Sequence, residues 1–322
     1  MNHERDNDAT TIKLGVSACL LGERVRFDGG HKRSGFITQT LASNFELVPL
    51  CPETAIGLGV PREPIRLVRQ RGDIRAIGVK TSTLDTTKRL LDYGRETGLK
   101  LRNLSGFILK KGSPSCGLER VKLYCENGHS VGHTTGLFTK ALLEQQPLLP
   151  CEEEGRLNDP RLRESFFKRV YAYHDWQQRG AQQITPSELI RFHTEHKFSL
   201  LAHDETRYRQ LGRLVASATQ QSIHTIAPRY IALVMETLTR PTSRKRHSNV
   251  LLHIAGFLKR TLTPDDKKEL LATVDAYVKG HIPLIVPITL INHFQRLHRN
   301  PYLTRQRYLR PYPDPLQLHN LV

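Results

Sequence analysis

Apolar and polar positions alternate over short stretches in the first half of the chain and recur every three or four residues in the second. KLGVSACLLG opens with an alternating stretch, Lys13–Ser17, that predicts a strand entering a glycine-containing loop with Cys19 and Gly22. FELVPLCPE predicts an extended segment over Phe45–Leu50 even with Pro49 inside, and Pro52 keeps Cys51 out of the helical backbone region. LSGFILKKGSPSCG predicts a strand over Gly106–Lys110, ended by Gly112 and Pro114. IRAIGVK is a further candidate strand. Between these, SGFITQTLASN, TSTLDTTKRLLDYGRETGLK and GLFTKALLEQQ have helical spacing, the second placing Leu84, Lys88, Leu91 and Arg95 along one side. Strands alternating with helices predict an α/β, Rossmann-like parallel-sheet domain over residues 1–160. Three cysteines, Cys19, Cys51 and Cys116, then follow three strands whose carboxyl ends share one edge, the edge where ligands bind in such sheets.

After about residue 160 the spacing becomes helical throughout, which predicts a mostly α-helical second domain, 161–322, best described as an irregular bundle. RESFFKRVYAYHDWQQRG gathers Phe166, Phe167, Val170, Tyr171 and His174 near one face and stops at Gly180. Thr185, Pro186 and Glu188 mark a capped helix start, and Thr263, Asp266 and Gly280 bracket another. Further helices are expected over Thr206–Gln221, Tyr230–Thr239 and Val250–Lys259. A loop at Ile282–Val286 precedes a partly buried helix from Pro287, and the proline-rich tail RYLRPYPDPLQLHNLV is expected to lie extended on the surface.

Charge changes this picture more than bulk composition does. The formal net charge is +17, and residues 1–160 carry +4 of it against +13 for residues 161–322. Such asymmetry points the second domain toward a polyanion, because lysine and arginine release counterions when they neutralise phosphates. No run of eighteen apolar residues is present and the first ten residues are polar, so neither a membrane partner nor a secretory signal is expected and the cytoplasm is the default location. Five cysteines without a CxxC pair argue against a disulfide framework, a zinc ribbon or a dithiol.

The chemistry suggested by the residues themselves stays open among four readings. Three thiolates at one sheet edge suit a cubane cluster with one iron lacking a protein ligand. They also suit zinc with His31, His129 or His133 as fourth ligand, a cysteine nucleophile, or simple packing of small side chains. Gly112 and Gly117 would let backbone approach a bulky group, and Ser113 and Ser115 could donate hydrogen bonds to it. Cys125 and Cys151 fall outside this set, although Cys151 precedes three glutamates, Glu152, Glu153 and Glu154.

A resemblance narrows those readings. SACLLGERVRFDG, the CPE of Cys51–Glu53, GSPSCG and EEEGRLNDP make residues 13–160 similar to a family once catalogued as a conserved domain of unknown function and now represented by thiouracil desulfidases. RFHTEHKFSLLAH, LIVPITLINHF and YLRPYP make residues from about 175 to 312 resemble a second domain family found alone or fused to the first. The resemblance implies a [4Fe-4S] cluster held by Cys19, Cys51 and Cys116, with one iron free of protein ligands to take the sulfur of a thiolated pyrimidine while water attacks the ring carbon. For the fused architecture it implies conversion of 4-thiouridine in transfer RNA to uridine, with sulfide released directly or to an acceptor and no obligate protein partner. A desulfidase of free thiouracil or thionucleosides, and a non-catalytic iron–sulfur protein that binds RNA, are the alternatives.

Within that framework Glu53 is the first candidate for the base that takes the water proton, and Asp28 in the RFDGG loop the second. Ser105 and Ser115 are candidates for orienting substrate or water, and Lys110 for holding the base or a nearby phosphate. Arg240, Arg244, Lys245 and Arg246, beside His247 at a helix-to-loop boundary, and Arg305, Arg307 and Arg310 are the candidate phosphate contacts. Tyr302, Tyr308 and Tyr312 are expected either to stack on bases or to pack the domain.

Overall fold

The structure, a computed structural model, describes residues 11–180, 184–218 and 223–312. The chain divides into two units, Met1–Asn158 and Asp159–Val322.

The first unit is built on a four-stranded sheet in the order β2-β1-β5-β8, from β1 (Lys13–Ser17), β2 (Glu46–Leu50), β5 (Leu104–Leu109) and β8 (Cys151–Glu153), with every pair parallel. Pro49 pairs with Val16 in β2, an edge strand, where a missing N–H leaves no ladder bond unmade on the outer side. β5 is buried at all six positions, as expected of a central strand covered on both faces.

The α/β class read from the sequence is what the chain adopts. The candidate strand IRAIGVK forms as β4 (Asp73–Gly78), but in a second sheet that the spacing did not reveal, β4-β3-β6-β7, in which β3 (Ile65–Gln70) pairs antiparallel with β4 and parallel with β6 (Val121–Cys125), itself antiparallel to β7 (Ser130–Thr134). Gln70 faces Asp73, so the β3–β4 turn is the two residues Arg71 and Gly72, both at positive φ (50° and 91°), the backbone of a tight hairpin. Arginine, not asparagine or aspartate, occupies its first position, which hid the turn from sequence reading.

SGFITQTLASN forms only a six-residue π-helical stretch, Phe36–Leu41, instead of a full crossover helix. The other crossovers are regular. After the single turn α1 (Pro52–Ala55), α2 (Thr87–Lys100) packs on α3 (Leu137–Gln145) at very short range, because a Cβ on Gly94 would stand 2.5 Å from the Phe138 carbonyl oxygen and 2.8 Å from Ala141 Cβ.

The second unit is helical: α4 (Pro160–Gln178), α5 (Pro186–His203), α6 (Glu205–Ser217), α7 (Ile223–Thr239), α8 (Arg244–Leu258), α9 (Pro264–Val278), α10 (Ile285–His298) and the single turn α11 (Pro301–Thr304). Side-chain caps start most of these: Asp159, Thr185, Asp204, Ser243 and Asn300 each accept from backbone N–H groups, and Thr263 with Asp266 closes a capping box. α7 and α8 each begin several residues before the expected Tyr230 and Val250, and α10 begins two residues before Pro287. Arg244, Lys245 and Arg246 therefore open α8 instead of closing a helix.

The tail is corrected too. Leu303, Tyr308 and Leu309 join the core formed by Phe198, Val250, Leu251 and Ile254, and Tyr312 is also buried, while residues 313–322 lie outside the described ones. Tyr308 and Tyr312 thus pack the domain: the Tyr308 hydroxyl bonds His247 Nδ1 at 2.8 Å, and Tyr302 stacks on Phe257 with centroids 4.9 Å apart.

A buried ionic cluster locks α4 to α5. Asp175 meets His196 Nε2 at 3.0 Å, Arg179 at 3.2 Å and Arg307 at 3.1 Å, and Arg179 also reaches Glu195. Burial opposes ionisation of Asp175, but the His196 bond and the surrounding cations hold its carboxyl far below the usual range.

Two other imidazoles of α5, His193 and His203, are pushed down by burial to about 4 from 6.5. The unfolded chain therefore binds more protons than the folded one between those values. Their contribution to stability is complete above pH 6.5 and lost as pH falls toward 4, at up to about 1.4 kcal/mol per pH unit for the fully enclosed His203. Thermal melts of the second unit's transition at pH 7 and pH 4.5 should show a clearly lower midpoint in acid; equal midpoints would contradict this account.

Glycine substitutions should act in opposite directions. Gly94→Ala forces apart α2 and the α3 backbone, an overpacking cost of about 1–3 kcal/mol that exceeds its gain in helix propensity. Gly256→Ala, in α8 with nothing within 4 Å, should raise stability by up to about 1 kcal/mol. Urea unfolding of the two variants checks both signs.

Candidate active site at the carboxyl edge of the parallel sheet

Three strand ends deliver three cysteines to one cavity. Cys19 sits in the 3-10 turn Ala18–Leu20 directly after β1, and Cys51 is the N-cap residue of α1 directly after β2, with Pro52 at the first helical position. Cys116 lies in the loop between β5 and β6. All three line a cavity of about 390 Å³, together with Glu53, Lys110 and Ser115 from the sequence-derived set.

The GSPSCG loop is shaped by its own side chains. Gly112 takes φ +68° in open space, and Ser113 Oγ accepts from the Ser115 and Cys116 N–H groups at 3.3 and 3.1 Å. Gly117 serves packing instead of approach to a ligand, since a Cβ there would stand 2.3 Å from Val121 Cγ2 and 2.9 Å from the Ser113 carbonyl oxygen. Gly136 is the more telling glycine: a Cβ on it would lie 2.4 Å from the Ser115 carbonyl oxygen and 3.0 Å from Cys116 N. Thr139 donates to the Cys116 carbonyl at 2.8 Å.

The acidic run after Cys151 holds the same loop at both ends. Glu154 takes the Lys111 N–H at 2.6 Å and pairs with Lys110 Nζ, while Glu153 takes the Leu118 N–H at 3.0 Å. Glu152 pairs with Arg156 at 2.7 Å.

Glu53 is held at both oxygens. Ser115 Oγ donates to its Oε1 at 2.7 Å, and Arg62 reaches its Oε2 at 2.8 Å, with side-chain exposures of 6% for Arg62 and 13% for Glu53. Arg62 also donates to the Val25 and Gly59 carbonyls, which leaves the guanidinium fixed. Sequence reasoning missed Arg62; its only signal was a lone arginine between two prolines, PREP, with no periodicity around it. Ser17, also missed, lines the cavity and accepts the Lys110 N–H at 3.0 Å.

Burial pushes the thiols up, Cys19 to about 11 with Cys51 adding to the rise, and Cys116 to about 12 against the opposing hydrogen bond from Ser17. Both are protonated near neutrality unless a cation displaces the proton.

Other sequence-derived candidates fall elsewhere. Asp28 does not line the cavity; it accepts the Gly30 N–H at 3.0 Å, which holds its carboxyl below the usual range, and so fixes its own loop. Ser105 is fully buried near the start of β5, away from the carboxyl edge. His31, His129 and His133 are absent from the lining, and among the described residues no three His, Cys, Asp or Glu side chains close on a single ion. Cys125 bonds the His129 carbonyl at the β6–β7 turn, and Cys151 pairs with Phe107 at the start of β8.

In the second unit the candidate phosphate contacts divide. Arg240 pairs with Asp204 at 2.6 Å, Arg307 with Asp175 at 3.1 Å, and Arg246 donates to the Pro241 carbonyl at 3.1 Å. Arg244, Lys245, Arg305 and Arg310 are exposed at the surface.

Comparison with known proteins fits this division of the chain. The family described as 2-thiouracil desulfurase matches residues 14–154, and a family described as a protein of unknown function, DUF1722, matches residues 197–313. The uncharacterized protein YbbK of Bacillus subtilis is 32% identical over 150 residues, covering 45% of this chain and 97% of its own. The uncharacterized protein YbgA of Escherichia coli is 29% identical over 165 residues, 51% of this chain and 98% of its own. Among solved structures, the [4Fe-4S]-dependent thiouracil desulfidase TudS is 32% identical, covering 46% of this chain and 94% of that one with a TM-score of 0.38. The chain belongs to the 2-thiouracil desulfurase family, with a DUF1722 region following the family's own domain.

Leaving Glu53 without its partner is costly in so enclosed a position. Arg62→Met should destabilise the first unit by about 3 kcal/mol, and adding Glu53→Gln should recover part of that loss, since the uncompensated charge is then gone. Chemical unfolding of the two single variants and the double variant measures the coupling; additive losses would contradict it.

Proposed function

We propose that the first unit is a [4Fe-4S]-dependent desulfidase and that the whole chain removes sulfur from 4-thiouridine in transfer RNA, giving uridine and sulfide. The observation that carries the desulfidase reading is the convergence of Cys19, Cys51 and Cys116 on one cavity that also contains a carboxylate held at both oxygens. Three soft donors standing around a space, with no imidazole among the lining residues, suit a cluster better than a closed zinc site. When bound, such a cluster would supply a Lewis acid for the substrate sulfur through an iron without a protein ligand.

The residues of the chain do the rest. Glu53 keeps lone pairs free on a carboxylate whose position Ser115 and Arg62 fix, and it takes a proton from the water that adds to the thiocarbonyl carbon. The carbon–oxygen bond forms as one water proton goes to Glu53; the carbon–sulfur bond then breaks as the carbonyl forms, the hydroxyl proton passes to the departing sulfur, which leaves as hydrosulfide, and Glu53 returns its proton to solvent, with no change in the oxidation state of the ring. Lys110, tethered by Glu154, places a cation at the cavity wall beside the incoming base.

Support for a transfer RNA substrate comes from the charge imbalance, +13 in residues 161–322 against +4 in residues 1–160. The second reading, desulfuration of free thiouracil, is favoured by what the solved relative acts on.

Anaerobic incubation of cluster-loaded protein with thiolated transfer RNA and, separately, with free 2-thiouracil decides between them by nucleoside mass analysis. The expected result is 4-thiouridine replaced by uridine, with kcat/KM at least about tenfold above that for free thiouracil. Conversion of thiouracil alone would establish the second reading, and RNA binding without loss of sulfur would establish a non-catalytic protein. Alanine at Cys19, Cys51 or Cys116 should remove most of the iron, whereas alanine at Cys125 or Cys151 should retain it.

A further inference from the structure

Within the second unit, the end of α10, the turn α11 and the chain after it border an open cavity of about 500 Å³. Four arginines line it, Arg296, Arg299, Arg305 and Arg310, and no aspartate or glutamate does. Among the described residues none of the four forms an ion pair, in contrast to Arg240 and Arg307, which are spent on Asp204 and Asp175.

From this geometry we infer that the cavity is a seat for the phosphodiester backbone of RNA, an inference that rests on the second unit being the RNA-holding part of the proposed enzyme. Four like charges around one concavity repel each other, and a ligand bearing more than one negative charge removes that cost. Guanidinium forks match phosphate oxygens two at a time, which a scattering of lysines does not.

The cavity is also too large for a lone phosphate and is not purely polar. Its volume falls in the range of small-molecule sites, and among its lining residues exposed Pro301 supplies apolar wall for the sugar and base that a phosphodiester brings with it. Gln295 and Gln306 stiffen the floor: their amide groups donate to Asn300 and Thr304 and to the Thr194 carbonyl, at 2.6–2.9 Å.

Arg299 adds a separate observation. It ends α10 at φ +24°, in the region where glycine or asparagine is the usual terminator. That sparsely populated backbone conformation is accepted there with a side chain that glycine would lack.

The test uses the full-length protein and an unthiolated transfer RNA transcript, so that binding is read whether or not desulfuration occurs. Arg299→Gln with Arg305→Gln should weaken binding at least about tenfold and flatten the dependence of log affinity on log salt by about one to two. Lys267→Gln with Lys268→Gln, the same change in charge in the first two turns of α9, should cost less than about threefold. Equal losses from both pairs would reduce the cavity to part of a general basic surface and overturn the proposal, as would an unaltered affinity in the arginine pair. Inorganic phosphate, titrated in phosphate-free buffer, separates the remaining source: if the arginine pair abolishes its binding while leaving that of the transcript intact, the site takes free phosphate and the inference fails. A transcript that binds through these arginines in a protein that never releases sulfur would keep the inference and defeat the enzymatic reading.

Discussion

The common direction of β2, β1 and β5 is the constraint on which the candidate site depends. Parallel pairing puts the carboxyl ends of all three strands on one edge, so residues 19, 51 and 116, far apart in sequence, leave the sheet on the same side. An antiparallel partner in any of these places would carry its cysteine to the opposite edge. The fold thereby assembles a donor set that no local spacing encodes.

Direction alone would leave the third thiol on a wandering loop. Lys110–Leu118 is held because Glu154 and Glu153, at the end of β8, take N–H groups from its start and its finish, and because Gly136 allows the α3 entry to lie against the Ser115 backbone. Buried carboxylates are tolerated here for the usual reason: each has hydrogen-bond or cationic partners that offset the loss of water. The same logic governs the second unit, where Asp175, Arg179, His196 and Arg307 satisfy each other between helices. An arginine so engaged is no longer available to an outside anion, which sets Arg179 and Arg307 apart from the arginines that line the α10 cavity.

Much of the architecture was legible because it follows from local rules. Thr185 and Thr263 announced their helices through capping chemistry, and the three strands before the cysteines showed themselves by short apolar stretches bounded by glycine and proline. Of the second sheet only β4 was legible, because β3 and β7 interrupt their apolar positions with arginine, glutamine, serine and histidine, and the β3–β4 hairpin turn has arginine where a stronger signal was expected. The prolines of the tail pointed to the surface, but Tyr308 and Leu309 are fixed by a core whose other members come from α5, α8, α9, α10 and α11.

By itself the sequence determined the succession of strands and helices, the identity of the thiols and the unequal distribution of charge, all properties of residues and their near neighbours. Only the tertiary structure decided which acidic group stands beside the thiols and which does not. Glu53 and Asp28 are alike on paper, each an acid in a loop after a strand. Arg62 and Ser115 fix Glu53 at the cavity, whereas Asp28 spends itself on the Gly30 N–H. That distinction rests on hydrogen bonds spanning 62 residues in one case and two in the other, and long-range pairing of this kind exists only once the chain is folded.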